Sequence, residues 1–83
     1  MAGVERGRVV AYILVKVLAG KERDVVDKIL KDFYRNVTEA RITYGDYDIV
    51  VRVEADNMRL LDSIVSNIRK IDGVEETKTL IAV

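Results

Sequence analysis

Within the thirteen residues YGDYDIVVRVEAD, Tyr44 to Asp56, stand four carboxylates, two tyrosines and a glycine turn. General acid–base work would need paired carboxylates in a dry pocket, or a His, Lys or Tyr of shifted pKa. Asp46, Asp48, Tyr44 and Tyr47 fall instead on a turn that reaches water. Hard-cation binding would need ligands at a loop's regular spacing, and Asp46, Asp48, Glu54 and Asp56 match no calcium loop. A third chemistry fits better. A glycine-containing hairpin exposes backbone N–H groups that can hold a carboxylate, and a nearby Asp can face an ammonium. Free amino acids carry both groups. The same Gly45-Asp46 pair also serves plain turn geometry, since glycine is free to take positive φ.

The rest of the composition narrows the chemistry. The chain of 83 residues has no cysteine, hence no disulfide framework, thiolate metal site or cysteine nucleophile. It has no histidine, which removes the commonest general base and transition-metal ligand together. The stretch AGKER lacks the glycine spacing and hydroxyl of a phosphate loop. The expectation is a protein that is not an enzyme, with no catalytic residue, no metal and no cofactor. Fourteen basic residues balance fourteen acidic ones, so no basic stripe invites a phosphate backbone and direct nucleic-acid binding is not expected. Tyr12 is the one aromatic on a central strand, too little for an RNA-stacking sheet. No apolar run approaches bilayer length, and the start MAGVERGRVV is not a signal peptide, which points to a cytoplasmic protein without membrane contact. Many Glu, Lys and Arg with no Gln lean towards a thermophilic source.

Six elements must position the hairpin. RVVAYILVKVL, from Arg8, is β-branched and apolar on both alternating sets, Val9/Ala11/Ile13/Val15/Val17 and Val10/Tyr12/Leu14, as expected of a central strand. After Gly20, Val25, Val26, Ile29, Leu30 and Phe33 recur at helical spacing, with Asp24–Lys28 and Asp27–Lys31 as candidate pairs on the wet side. NVTEARITY alternates like a half-buried edge strand, and DIVVRVEA follows the turn as a third strand. Asp56 or Asn57 can cap a second helix bearing Leu60, Leu61, Ile64, Val65 and Ile68, with Gly73 at its expected C-cap. VEETKTLIAV closes the chain as a fourth strand. The order predicts an α+β, ferredoxin-like βαββαβ sandwich: an antiparallel four-stranded sheet with two helices on one face.

The other face would then meet water. It must carry one apolar set of the first strand, Val50, and either Ile81/Val83 or Leu80/Ala82. An apolar patch of several hundred Å² marks an interface. Burying roughly 600 Å² per subunit would yield on the order of 15 kcal/mol before binding costs. A homodimer formed through the sheet is the expected consequence.

From about Val9 to Val83 the chain resembles the effector-binding (RAM) domain of the Lrp/AsnC, or feast/famine, transcription regulators. The residues that carry the resemblance are TEARITYGDYDIVVRVEADN, Thr38 to Asn57, with its glycine-x-x-aspartate turn, the ending IRKIDGVEETKTLIAV and the helix opening AGKERDVVDKIL. The expectation is one such domain over residues 1–83, with 1–7 as an N-terminal extension, departing from the family's regulators in having no helix-turn-helix domain. The resemblance implies sheet-paired dimers that assemble further, octamer-like, with an amino-acid effector near the hairpin and full-length family regulators as partners. Carried onto this sequence, Gly45, Asp46 and Tyr47 would offer main-chain groups to the effector carboxylate. Asp48 would face the ammonium, and Thr77 and Thr79 would offer hydroxyls. Two other readings stay open: a ligand-independent module that only assembles with DNA-binding regulators, and a cofactor-free dimeric ferredoxin-like enzyme. The ACT domain shares the element order, and the glycine-x-x-aspartate hairpin favours the family named.

Overall fold

Strand β1 (Val9–Val17) decides the architecture, because it has an apolar residue to place on each side of the sheet. The computed structural model describes residues 8–83, so the expected extension 1–7 lies outside the described residues. Chain order is β1, α1 (Glu22–Asp32), β2 (Val37–Ile42), β3 (Ile49–Ala55), α2 (Met58–Arg69) and β4 (Val74–Ile81). The sheet runs β2-β3-β1-β4, and all three pairings are antiparallel. The two most apolar strands therefore sit at the centre, as the ferredoxin-like pattern requires.

Ala11, Ile13, Val15 and Val17 of β1 and Ile49, Val51, Val53 and Ala55 of β3 are all buried under the helices. Val25, Val26 and Ile29 of α1 and Leu61, Ile64 and Ile68 of α2 close over them, each at three- or four-residue spacing. No polar or charged residue enters this core among the described residues. Asn57 is the helix cap: its Oδ1 accepts the Leu60 N–H at 2.8 Å. Helix α1 stops at Asp32, short of the expected extent, because the chain turns through Phe33–Asn36 to bring Val37 onto the sheet. Both the Asn36 and Val37 N–H groups donate to the Phe33 carbonyl in that turn. On its wet side Lys28 pairs with Asp32 at 3.1 Å rather than with Asp24.

Gly73 is not the C-cap of α2, which ends at Arg69 with Lys70 as cap. Its φ of +99° turns the chain into β4 instead, and an added Cβ would meet Lys21 at 3.1 Å.

The register fixes what faces away from the helices. Tyr12 lies opposite Leu80 and Arg52, and Leu14 opposite Val50 and Lys78. Leu80, not Ile81, thus joins the uncovered side, in a stripe with Val10, Tyr12, Leu14 and Val50. Tyr12 and Leu80 are 38% and 49% exposed. Charges flank the stripe. Glu54 accepts from Arg52 Nη1 at 2.5 Å and from Arg8 Nη1 at 2.6 Å, and Arg52 also donates to Thr38 Oγ1 at 2.9 Å. The hydrogen bond that Arg52 donates to Glu54 holds the Glu54 carboxyl below its usual range and raises the Arg52 guanidinium.

A depressed carboxylate stabilises the fold above its ordinary pKa and loses that contribution as pH falls through the lowered value. Acid titration of stability should therefore be less steep in Glu54→Gln than in the wild type, measured as urea midpoints from neutral pH down through the carboxylate range. Equal slopes would show that the pair contributes nothing.

Candidate ligand-binding site

Thr43 to Asp48 connect β2 to β3, and each end of this loop is tied down. The Thr43 N–H donates to the Asp48 carbonyl at 2.9 Å, and Thr43 Oγ1 to the Tyr47 carbonyl at 2.9 Å. Gly45 adopts φ +117°, which a side chain would strain, with open space around it. The N–H groups of Tyr44, Gly45, Asp46 and Tyr47 donate to no acceptor among the described residues. Tyr44 and Asp46 are exposed, while Tyr47 and Asp48 are half-buried.

Asp48 belongs to the sheet as much as to the loop. Its N–H donates to the Val15 carbonyl at 2.9 Å, and its Oδ2 accepts the Val17 N–H at 2.9 Å. The carboxylate does what a carbonyl of a longer β3 would do for the end of β1. Its second oxygen, Oδ1, has no donor among the described residues. Asp48 is thus both a strand clamp and a half-used anion.

Tyr47 reaches across β1. Its ring lies 5.7 Å from Lys16 Nζ, and its hydroxyl donates to Glu76 Oε2 at 3.3 Å. Lys16 and Glu76 are cross-strand neighbours in the β1–β4 register. Thr77, the next residue, is half-buried opposite Val15, on the helix side, and its Oγ1 accepts from Arg69 Nε at 2.9 Å. Thr79 lies half-buried opposite Ile13, two residues further from the hairpin. Gly45, Asp46, Tyr47 and Asp48 therefore form one unit. Thr77 is linked to it through Glu76 and Tyr47 and through its strand partner Val15, whose carbonyl accepts from Asp48, and among the described residues no hydrogen bond joins Thr77 or Thr79 directly to the hairpin.

Sequence reasoning passed over Lys16, Glu76 and Arg69. Lys16 did leave a signal, as the one cation inside an otherwise apolar strand. Glu76 and Arg69 left none: the β1–β4 register sets Glu76 beside Lys16, and the turn from α2 into β4 sets Arg69 on Thr77. The described residues hold no cluster of three or more His, Cys, Asp or Glu able to take a metal ion. Nor do they include a helix long and apolar enough to cross a membrane.

One sheet, helices on a single side and a tied hairpin with bare amides define a ferredoxin-like domain whose sheet has one uncovered face. The model of the Lrp/AsnC ligand-binding domain matches residues 10–83, and the chain belongs to that family. The HTH-type transcriptional regulator FL11 of Pyrococcus furiosus is 40% identical over 73 residues, which make up 88% of this chain and 47% of that protein. The chain thus spans about half the length of the FL11 regulators it matches. The crystal structure of FFRP-DM1 is similar with a TM-score of 0.84 and 42% identity, covering 90% of this chain and 99% of that one. A shorter match of 46% over 43 residues covers 52% of this chain and 9% of the homocitrate synthase of Sulfurisphaera tokodaii.

The clamp makes a prediction that separates the two parts of Asp48. Asp48→Ala should lower unfolding free energy by about 1–3 kcal/mol, the range for a charge-assisted bond to a partly buried N–H. Asp48→Asn keeps an acceptor for Val17 and should cost less than about 1 kcal/mol. Chemical denaturation of the pair checks this, and equal losses would mean that the bond to Val17 carries no weight.

Proposed function

We propose that this chain is a non-enzymatic module that binds a free amino acid at the hairpin and takes part in transcription regulation through its assembly state. The observation that carries the reading is the set of unpaired N–H groups from Tyr44 to Tyr47 beside the half-used Asp48 carboxylate. Amides at the tip would hold the effector's carboxylate. Asp48 Oδ1 would take its ammonium while Oδ2 stays on Val17. Membership of a ligand-binding family supports the same reading.

The domain's uncovered face supports association. Copies would pair through the Val10/Tyr12/Leu14/Val50/Leu80 stripe, with Arg52 and Glu54 on its flank, and dimers would assemble further into a ring. In such an assembly the threonines, which one chain keeps apart from its own hairpin, could serve a neighbouring copy. An effector changes assembly only by its differential affinity for two arrangements. Full-length family regulators are the natural partners for mixed assemblies, with DNA contacts made by those partners. Assembly without any ligand is the second reading, favoured by the apolar stripe alone.

Titration calorimetry against the twenty amino acids should give saturable heat for at least one of them. Asp48→Asn, which keeps the clamp, should weaken that binding at least about tenfold, the worth of one charge-assisted contact. Silence across the panel would leave the assembly reading in place of the sensor. Sedimentation at micromolar concentration should show a dimer or larger, and Leu14→Glu should return it to a 9.4 kDa particle. A wild type that already sediments at that mass would remove the interface.

A further inference from the structure

The open edge of β2 carries a pattern of its own. Glu39 and Arg41 lie opposite Arg52 and Val50 of β3, in step with Thr43, whose N–H donates to the Asp48 carbonyl. Bonds alternate along an antiparallel strand, so Ala40 and Ile42 point their N–H and C=O groups away from the sheet. An edge of this kind is a template for a further strand. Each outer strand has a bulge, at Thr38 in β2 and at Glu75 in β4, where a residue lacks a ladder partner. Such a bulge turns part of an edge away from partners. β2 keeps the regular run Glu39 to Ile42. The regular run of β4 starts at Glu76, whose carboxylate already holds Tyr47.

Two features say what the β2 edge fits. Glu39 and Arg41 flank Ala40 on one side of the sheet, both exposed, with Arg41 Nε donating to Glu39 Oε2 at 2.5 Å. Acid, small residue, base is a pattern complementary to its own reverse. Turned antiparallel about Ala40, a second copy sets its Arg41 opposite Glu39 and its Glu39 opposite Arg41. These are the non-hydrogen-bonded positions, where opposed side chains come closest. Apolar groups line the same edge on the helix side: Ile42, opposite Ile49, is 43% exposed and Leu30 41%. Lys28 and Asp32 share a hollow with Asn67 and Lys70 of α2. Leu30, about half a turn round α1 from them, therefore lies on the flank away from α2, where α1 packs on β2.

We propose that the β2 edge is a second contact between copies of this chain. β2 pairs antiparallel with β2 of another copy about a two-fold axis at Ala40, so that two four-stranded sheets become one continuous sheet. Glu39 and Arg41 meet Arg41 and Glu39 of the second copy, and Leu30 and Ile42 lose water at the seam. The contact uses neither the Val10/Tyr12/Leu14/Val50/Leu80 stripe nor any group of the hairpin. For its strength it rests on the sheet-paired dimer proposed above. A single chain offers one β2 edge and a dimer two, and linked edges gain what one alone lacks. Two different two-fold contacts on each chain then alternate through an assembly of even copy number.

Sedimentation of the full chain at micromolar concentration, with charge variants alone and mixed, tests the proposal. The wild type should sediment as more than two copies of the 9.4 kDa chain. Arg41→Glu and Glu39→Arg each set like charges opposite one another across the axis, and each alone should stop at the dimer. An equimolar mixture separates pairing between chains from the bond within one. In the mixture every acid again faces a base across the axis, although no chain recovers its internal pair, and larger assembly should return. Amide hydrogen exchange gives an independent readout: Ala40 and Ile42 N–H should exchange at least about tenfold more slowly in the wild type than in Arg41→Glu. A wild type that stops at the dimer would overturn the edge contact and leave the stripe standing, whereas a 9.4 kDa wild type would remove both. Single variants that assemble like the wild type, a mixture that does not, or slow exchange confined to the β4 edge would each overturn it too.

Discussion

The bond between the Asp48 carboxylate and the Val17 N–H is the constraint on which the site depends. β1 is the strand that every part of the domain uses: β3 and β4 pair with it, and both of its faces are apolar in part. Tying the hairpin to the end of that strand fixes the tip relative to the whole sheet. A loop fixed in this way loses little further freedom when a ligand arrives, which is the physical content of preorganisation. The same carboxylate keeps an oxygen to spare, so the clamp does not exhaust the group that a cation would seek.

The second constraint is one-sided cover. Two amphipathic helices shield the Ala11–Val17 face and leave Val10, Tyr12, Leu14, Val50 and Leu80 without a helix over them. The uncovered side is less uniformly apolar than the alternation of β1 implies, because β3 contributes Arg52 and Glu54 there and β4 contributes Glu76 and Lys78. Charge pairs beside an apolar stripe favour a partner with matching charges, and they set register and specificity more than gross affinity. In the dimer proposed above, a second copy would cover this stripe, with the Arg52–Glu54 pair at its edge.

Much of this was legible in the residues. The two-sided apolar pattern of β1 named a central strand, and Gly45 named the hairpin. The spacing of Leu61, Ile64 and Ile68 named the face of α2, and Asn57 its cap. These signals are local, and local periodicity suffices for them. The turn at Gly73 was misread as a helix cap because a glycine after a helical run signals both. The threonines were read as companions of the hairpin, and within one chain Thr77 lies opposite Val15 on the helix side and Thr79 two residues further along. Arg69, Glu76 and the bulge at Glu75 could not be read at all. The bulge depends on how β4 slips against β1, and Arg69 meets Thr77 through the way α2 turns into β4, neither of which the apolar periodicity records.

A crystal structure of the protein grown with a mixture of amino acids tests the central claim most directly. The result predicted is an α-carboxylate within hydrogen-bond distance of the Gly45–Tyr47 amides, its ammonium beside Asp48 and the Val17 bond intact. A bound amino acid that leaves those amides facing solvent, with Asp48 engaged only by Val17, would contradict it.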